Sequence, residues 1–266
     1  MTGGFVKHFL RELLIRIGTR PSLRNSLFER VNQLNALKII DVYTHSDNPN
    51  LYTLAAGPFS GVTYVKENYW SNNHEMALKI MGCYEYQILR ELEKYSIENF
   101  VSLGAADGYY AIGLLKTKCK KAILIESDKR NYPLIYENAR LNLVDENVTI
   151  VEDINCIFTE LTPTLSKLSN NLLICDIEGD EYEILNDHAL ISRLHSHNFI
   201  LIIELHDRNS HLRNSLKEKL SSYYKVISLP STERNIAHHN LIPNIYESAM
   251  FSTENRGNNY EFILCC

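Results

Sequence analysis

Val101 to Tyr110 reads Val-Ser-Leu-Gly-Ala-Ala-Asp-Gly-Tyr-Tyr: an apolar run stops at Gly104, the chain turns, and Gly108 opens a second apolar run through Tyr110, Ile112, Leu114 and Leu115. Strand, glycine turn and helix in that order bring bare backbone N–H groups against a ligand. The spacing is Gly-x-x-x-Gly rather than Gly-x-Gly-x-x-Gly, so the dinucleotide fingerprint is not met, and such turns also serve as plain punctuation. The acids downstream sharpen the reading. A ribose held at the turn calls for an acid about 20 positions on, closing the next strand. Glu126 stands at about that distance, at the end of the apolar run Ala122 to Ile125. Its carboxylate can accept hydrogen bonds from both ribose hydroxyls. Three more apolar runs end in acids: Asn147 to Val151 in Glu152 and Asp153, Leu172 to Cys175 in Asp176-Ile177-Glu178-Gly179-Asp180-Glu181, and Phe199 to Ile203 in Glu204-Leu205-His206-Asp207. Ligands of open α/β sheets sit outside the carboxyl ends of the strands. The plainer role for these acids is to cap the helices that follow, which suits Asp180, Glu181 and Asp207 better than Glu126 or Asp176.

These segments resemble the FkbM-like group of class I S-adenosylmethionine-dependent methyltransferases. The resemblance runs from about Gly57 to Asp207. It is carried by Ser102 to Ala111, by Ile-Glu-Ser-Asp-Lys-Arg-Asn-Tyr around Glu126, by Glu137 to Asn142, by Cys-Asp-Ile-Glu-Gly-Asp-Glu (Cys175 to Glu181) and by Ile-Ile-Glu-Leu-His (Ile202 to His206). Gly57 to Gly61 and Gly82 to Glu85 add weaker upstream matches. The resemblance implies an α/β, Rossmann-like class I methyltransferase fold: a seven-stranded, mostly parallel sheet with helices on both faces and a last strand running antiparallel. It implies S-adenosyl-L-methionine as cofactor, with Gly104, Ala105, Ala106, Asp107 and Gly108 around its methionine portion. Glu126, followed by Ser127, would hold the ribose, Asp153 the adenine, and Asp176 would face the methyl-transfer region. Two positions depart from the family. Ser102 stands where an acid is usual, and Ser127 where proline is common; Asp107 and Glu85 are left to supply charge for the cofactor's ammonium.

The implied reaction is displacement at the cofactor's methyl, in which alignment and desolvation do most of the work. A hydroxyl nucleophile must also lose its proton, and Asp176 and His206 are the candidate bases, with Glu204 beside them. His206 is as readily an orienting or core histidine. Asp176, Glu204 and Asp207 could instead hold a hard divalent cation, although Leu205 occupies the place of a further oxygen ligand, and the primary expectation is a site without metal. The acceptor implied by the resemblance is a hydroxyl on a sugar, glycan or glycosylated metabolite. An amine or protein acceptor, or an inactive cofactor-binding scaffold, are the alternatives. Gly104→Val is expected to abolish cofactor binding while leaving the fold largely formed, by filling the ligand's approach path.

The elements that must position these residues divide into an N-terminal helical and irregular extension, 1–75, and a catalytic domain, 76–266. Phe5 to Ile17 puts Phe5, Phe9, Leu10, Leu13, Leu14 and Ile17 on one helical face flanked by basic residues. That face suits packing on the domain or on a second copy of the chain, or peripheral contact with a membrane surface. Tyr43 to Asn73 reads as irregular, and Met76 to Tyr95 as one helix. Ser210 to Tyr224 reads as a helix, and Lys225 to Leu229 and Tyr260 to Leu264 as the last two strands. Between those strands Pro230 to Asn259, with His238 and His239, reads as a loop over the substrate end. A net charge of −5 gives no electrostatic case for nucleic acid. The six cysteines show neither zinc spacing nor a Cys-x-x-Cys pair. The lack of a bilayer-length apolar run and of a secretory signal makes the cytoplasm the expected location.

Overall fold

The computed structural model describes residues 21–66, 72–161, 170–206, 209–229 and 261–266. In chain order these form α1 (Pro21–Tyr43), β1 (Leu51–Thr53), β2 (Thr63–Val65), α2 (Asn73–Ile80), α3 (Tyr86–Leu92), β3 (Asn99–Leu103), α4 (Tyr109–Thr117), β4 (Lys121–Ile125), α5 (Asn131–Leu141) and β5 (Val148–Val151). They continue with α6 (Cys156–Leu161), β6 (Asn171–Cys175), α7 (Glu181–Ile184), α8 (His188–Ser196), β7 (Phe199–Leu205), α9 (Ser210–Ser221), β8 (Val226–Leu229) and β9 (Glu261–Cys265). The expected helix at Phe5 to Ile17 and the loop at Pro230 to Asn259 lie outside the described residues.

One seven-stranded sheet organises the chain, in the order β5-β4-β3-β6-β7-β9-β8. Neighbours from β5 to β7 are parallel, whereas β9 lies between β7 and β8 and is antiparallel to both. The order reverses at β3, so β3 and β6 diverge from the switch point outside whose carboxyl ends ligands bind in open α/β sheets. This is the Rossmann-like class I methyltransferase fold. The central strands are buried on both faces and read as continuous apolar runs. Alternate residues serve two cores: Phe100, Leu172, Ile174 and Ile202 face one, and Val101, Leu103, Leu173, Ile203 and Leu205 the other.

Three expectations change. The stretch Met76 to Tyr95 is two helices, because the chain turns between them at Gly82 and Glu85, whose φ values are +65° and +44°. A Cβ on Gly82 would stand 2.6 Å from the Cα of Gly57, so two glycine backbones cross where no side chain fits. Second, the irregular stretch Tyr43 to Asn73 contains the antiparallel pair β1–β2, each too short to show a period in sequence. The open edge of β2 is completed by side chains of α5. Asn138 Oδ1 accepts from the Val65 N–H, while Asn142 Oδ1 and Nδ2 bond the N–H and carbonyl of Thr63. Residues four apart share a helix face, so Glu-Asn-Ala-Arg-Leu-Asn presents an amide pair that stands in for a strand. Third, β7 runs on through Leu205, which makes Glu204 a strand residue and 2 % exposed rather than a residue of the following loop.

Candidate active site

A cavity of about 760 Å³ opens at the carboxyl ends of β3, β4, β6 and β7. Its floor is the glycine turn. Gly104 has φ +82°, and a Cβ there would meet the Asp176 carbonyl oxygen at 1.8 Å. The bare Cα therefore lets the ends of β3 and β6 close together. This corrects the expectation for Gly104→Val: its side chain would strike β6 before it reached any ligand path, so the fold itself would be strained.

Glu126, 6 % exposed, ties the turn to β4. Its Oε2 accepts from the N–H groups of Ala105 (3.2 Å) and Ala106 (2.9 Å), and its Oε1 from that of Asp128 (2.7 Å). Ala106 is held at φ +47°, a conformation costly for a residue with a Cβ. A carboxylate offers about four acceptor positions, so with three filled Glu126 keeps about one for a ligand in the cavity it lines. Asp107 is buried; its Oδ1 accepts from Tyr109 N–H at the start of α4, and its Oδ2 pairs with Lys79 Nζ of α2 at 2.6 Å. Lys79 is itself 4 % exposed and also lines the cavity. Ser102, which the resemblance set where an acid was expected, turns back and donates to the Gly104 carbonyl.

The opposite wall is built around His206. Its backbone N–H donates to Glu181 Oε1 at 2.7 Å, and its Nδ1 lies 3.5 Å from the same oxygen. Its Nε2 lies 3.4 Å from Asp176 Oδ1, 3.5 Å from Glu204 Oε1 and 3.7 Å from Glu178 Oε2. Burial pushes the imidazole pKa down, but the bond to Glu181 and the charges of Asp176 and Glu178 outweigh it, and the pKa is raised. Burial likewise pushes the Glu181 carboxyl up, and the bonds from His206 and Gly179 reverse this and hold it below the ordinary range. Glu178 takes φ +56° to bring the chain across this wall. Among the described residues, Asp176, Glu204 and His206 are a group of metal-ligating type whose donor atoms all lie within 4.8 Å of one another.

Asp176, Glu204, His206, Gly104, Ala106, Asp107, Glu126 and Ser127 thus line one cavity, while Ala105 and Gly108 lie behind its wall. Two expected residues are not brought to it. Glu85 is buried against the Tyr110 hydroxyl, with which it hydrogen-bonds. Asp153 is exposed and accepts from Asn155, opening α6, while its neighbour Glu152 lines the cavity. Asp207 lies outside the described residues. Two participants were not anticipated. Glu181 looks like a helix-start acid in sequence, and its burial follows only from where β7 ends. Lys79 carries one signal, a lone charge among Met76, Ala77, Ile80 and Met81.

No protein-family model matches the chain, and no curated protein does. Solved structures of similar fold include a ribosomal protein L11 methylase from Lactobacillus delbrueckii subsp. bulgaricus, with 13% identity, 74% of this chain and 80% of that chain covered, and TM-score 0.43. A precorrin-6y C5,15-methyltransferase from Geobacter metallireducens is 12% identical over 76% of this chain and 91% of that one, with TM-score 0.41. A geranyl diphosphate methyltransferase in complex with GPP and sinefungin is 10% identical over 75% and 83%, with TM-score 0.42. At such identities the fold assignment rests on the strand order and the reversed β9.

Proposed function

We propose that this chain is an S-adenosylmethionine-dependent methyltransferase acting on a hydroxyl acceptor. The observation that carries the reading is the cavity at the switch point of this sheet, with a glycine turn on one side and a carboxylate–imidazole wall on the other. Its volume lies within the range of ligand sites. The charges suit the cofactor. Asp107 and Lys79 offer a buried anion and cation side by side, complementary to the ammonium and carboxylate of an amino acid, and this pair does the work the missing acid at Ser102 would have done. The free acceptor position of Glu126 suits a ribose hydroxyl.

When bound, the cofactor supplies an electrophilic methyl group, and the chain's residues orient the acceptor toward it and exclude water. The acceptor's proton must leave as its oxygen bonds to carbon. Asp176 and His206, at the ends of adjacent strands β6 and β7, are the groups that take it, with Glu204 beside Nε2 and Glu181 beside Nδ1 of the imidazole. The resemblance to FkbM-like methyltransferases favours a sugar hydroxyl of a glycan or glycosylated metabolite as acceptor. Calorimetric titration tests the reading: S-adenosylmethionine and S-adenosylhomocysteine should both bind at one site. No heat with either at millimolar concentration overturns it.

A further inference from the structure

We propose that Asp176, Glu204 and His206 bind a divalent metal cation at the acceptor end of the cavity, with at least one coordination position left open. Two independent observations converge on this.

The first is spacing. His206 Nε2 stands 3.4 Å from Asp176 Oδ1 and 3.5 Å from Glu204 Oε1, longer than the ~2.7–2.9 Å of a charge-assisted hydrogen bond. Two ligands of one ion held at about 2.1 Å stand about 3.0 Å apart in octahedral and about 3.4 Å apart in tetrahedral geometry. The observed separations match the second figure. The donors sit where paired strands end: Asp176 directly follows β6, Glu204 lies in β7 and His206 directly follows it, and β6 and β7 are paired in register up to Cys175 and Ile203.

The second is charge. Asp176, Glu178, Glu181 and Glu204 surround a single imidazole, and Glu181 and Glu204 are almost wholly buried. Glu181 and Glu204 thus place two buried carboxylates against one imidazole, and buried carboxylates are held by cations or metals. Glu181 fits the arrangement as an outer group. It touches Nδ1, the nitrogen opposite the metal-facing Nε2, which is how a carboxylate orients a ligating histidine and fixes its tautomer.

Two carboxylates and one imidazole with an open position form a donor set that suits Mn²⁺ or Zn²⁺. A cation there makes a hydroxyl bound beside it more acidic, which is the proton loss an O-methyl transfer requires; with the ion in place Asp176 and His206 are its ligands, and the cation takes over the part they would otherwise play as bases. That consequence rests on the methyltransferase reading, but cation binding itself does not.

The test is titration of the full chain, stripped with chelator, with MnCl₂ and with ZnCl₂, followed by calorimetry and, for Mn²⁺, by loss of the free-ion paramagnetic resonance signal. One ion should bind per chain. Asp176→Asn and His206→Gln should each weaken binding at least tenfold, with the circular dichroism of the parent retained; Asp176, half-exposed, is the variant safest for the fold. Absence of binding of both ions at millimolar concentration overturns the proposal, as does binding that neither variant changes, which would put the ion elsewhere. Titration with S-adenosylmethionine separates the two readings: cofactor binding in a chain that takes up neither ion leaves the methyltransferase standing and this site refuted. Metal bound without cofactor does the reverse.

Discussion

Glu126 shows how a residue legible from its position can carry a second duty that the sequence hides. Its place at the end of an apolar run marks it as a ligand group, yet three of its acceptor positions hold the backbone of the glycine turn and of Asp128. Glu126→Gln keeps an acceptor for Ala105 and Ala106 but can set an amide donor against the Asp128 N–H. It should lower stability by about 1–3 kcal/mol, read as a fall in Tm, as well as weaken cofactor binding. Weakened binding with an unchanged Tm would show that the turn does not depend on this carboxylate. Lys79 is the opposite case: nothing in its spacing marks it, because its partner Asp107 lies on another element. Lys79→Met should cost about 3–5 kcal/mol in denaturant unfolding, since it leaves a buried carboxylate uncompensated. Adding Asp107→Asn should recover much of that loss. A double variant no more stable than Lys79→Met would mean that the lysine acts through packing against Tyr84 and Tyr109, whose ring centroids both lie 5.1 Å from its Nζ.

At the scale of elements, the parallel strands were legible because burial on both faces writes them as apolar runs, and the acids that end them mark the ligand edge. The break between α2 and α3 was not, because its cause is a second backbone far off in sequence. Gly82 meets Gly57, and neither glycine alone announces a crossing. Gly82→Ala adds a methyl group where backbone lies 2.6 Å away and forces a left-handed residue. We expect a loss of about 2–5 kcal/mol by thermal or denaturant unfolding. A change below about 0.5 kcal/mol would show that the two turns can part freely. The pair β1–β2 escaped sequence reading for a related reason. The outer edge of β2 is bonded by Asn138 and Asn142, so part of the signal sits on a helix instead of on a strand. Asn138 also donates to the Asp107 carbonyl, linking the β2 edge to the glycine turn.

For the whole molecule, the expectation of seven strands with a reversed last one describes the sheet that forms, but the order of those strands is set by contacts no local pattern encodes. β9 is the clearest instance. Its five residues come last in the sheet's chain order, yet they lie between β7 and β8, and β8 is joined to the sheet only through them. Phe262, Ile263 and Leu264 are each 3 % exposed or less. Burying three such side chains stabilises by about 5–9 kcal/mol, the size of the whole folding free energy of an ordinary domain. A chain ending at Tyr260 would lose that burial, expose the edge of β7 and release β8, because Leu201 to Leu205 and Val226 to Leu229 would each lack the partner they share. The edge of β7 carries Glu204, so the loss would reach the carboxylate–imidazole wall as well. Such a chain should show no cooperative thermal transition and no cofactor or cation binding. Cooperative unfolding within a few degrees of the full chain would mean that β7 and β8 close the sheet without β9.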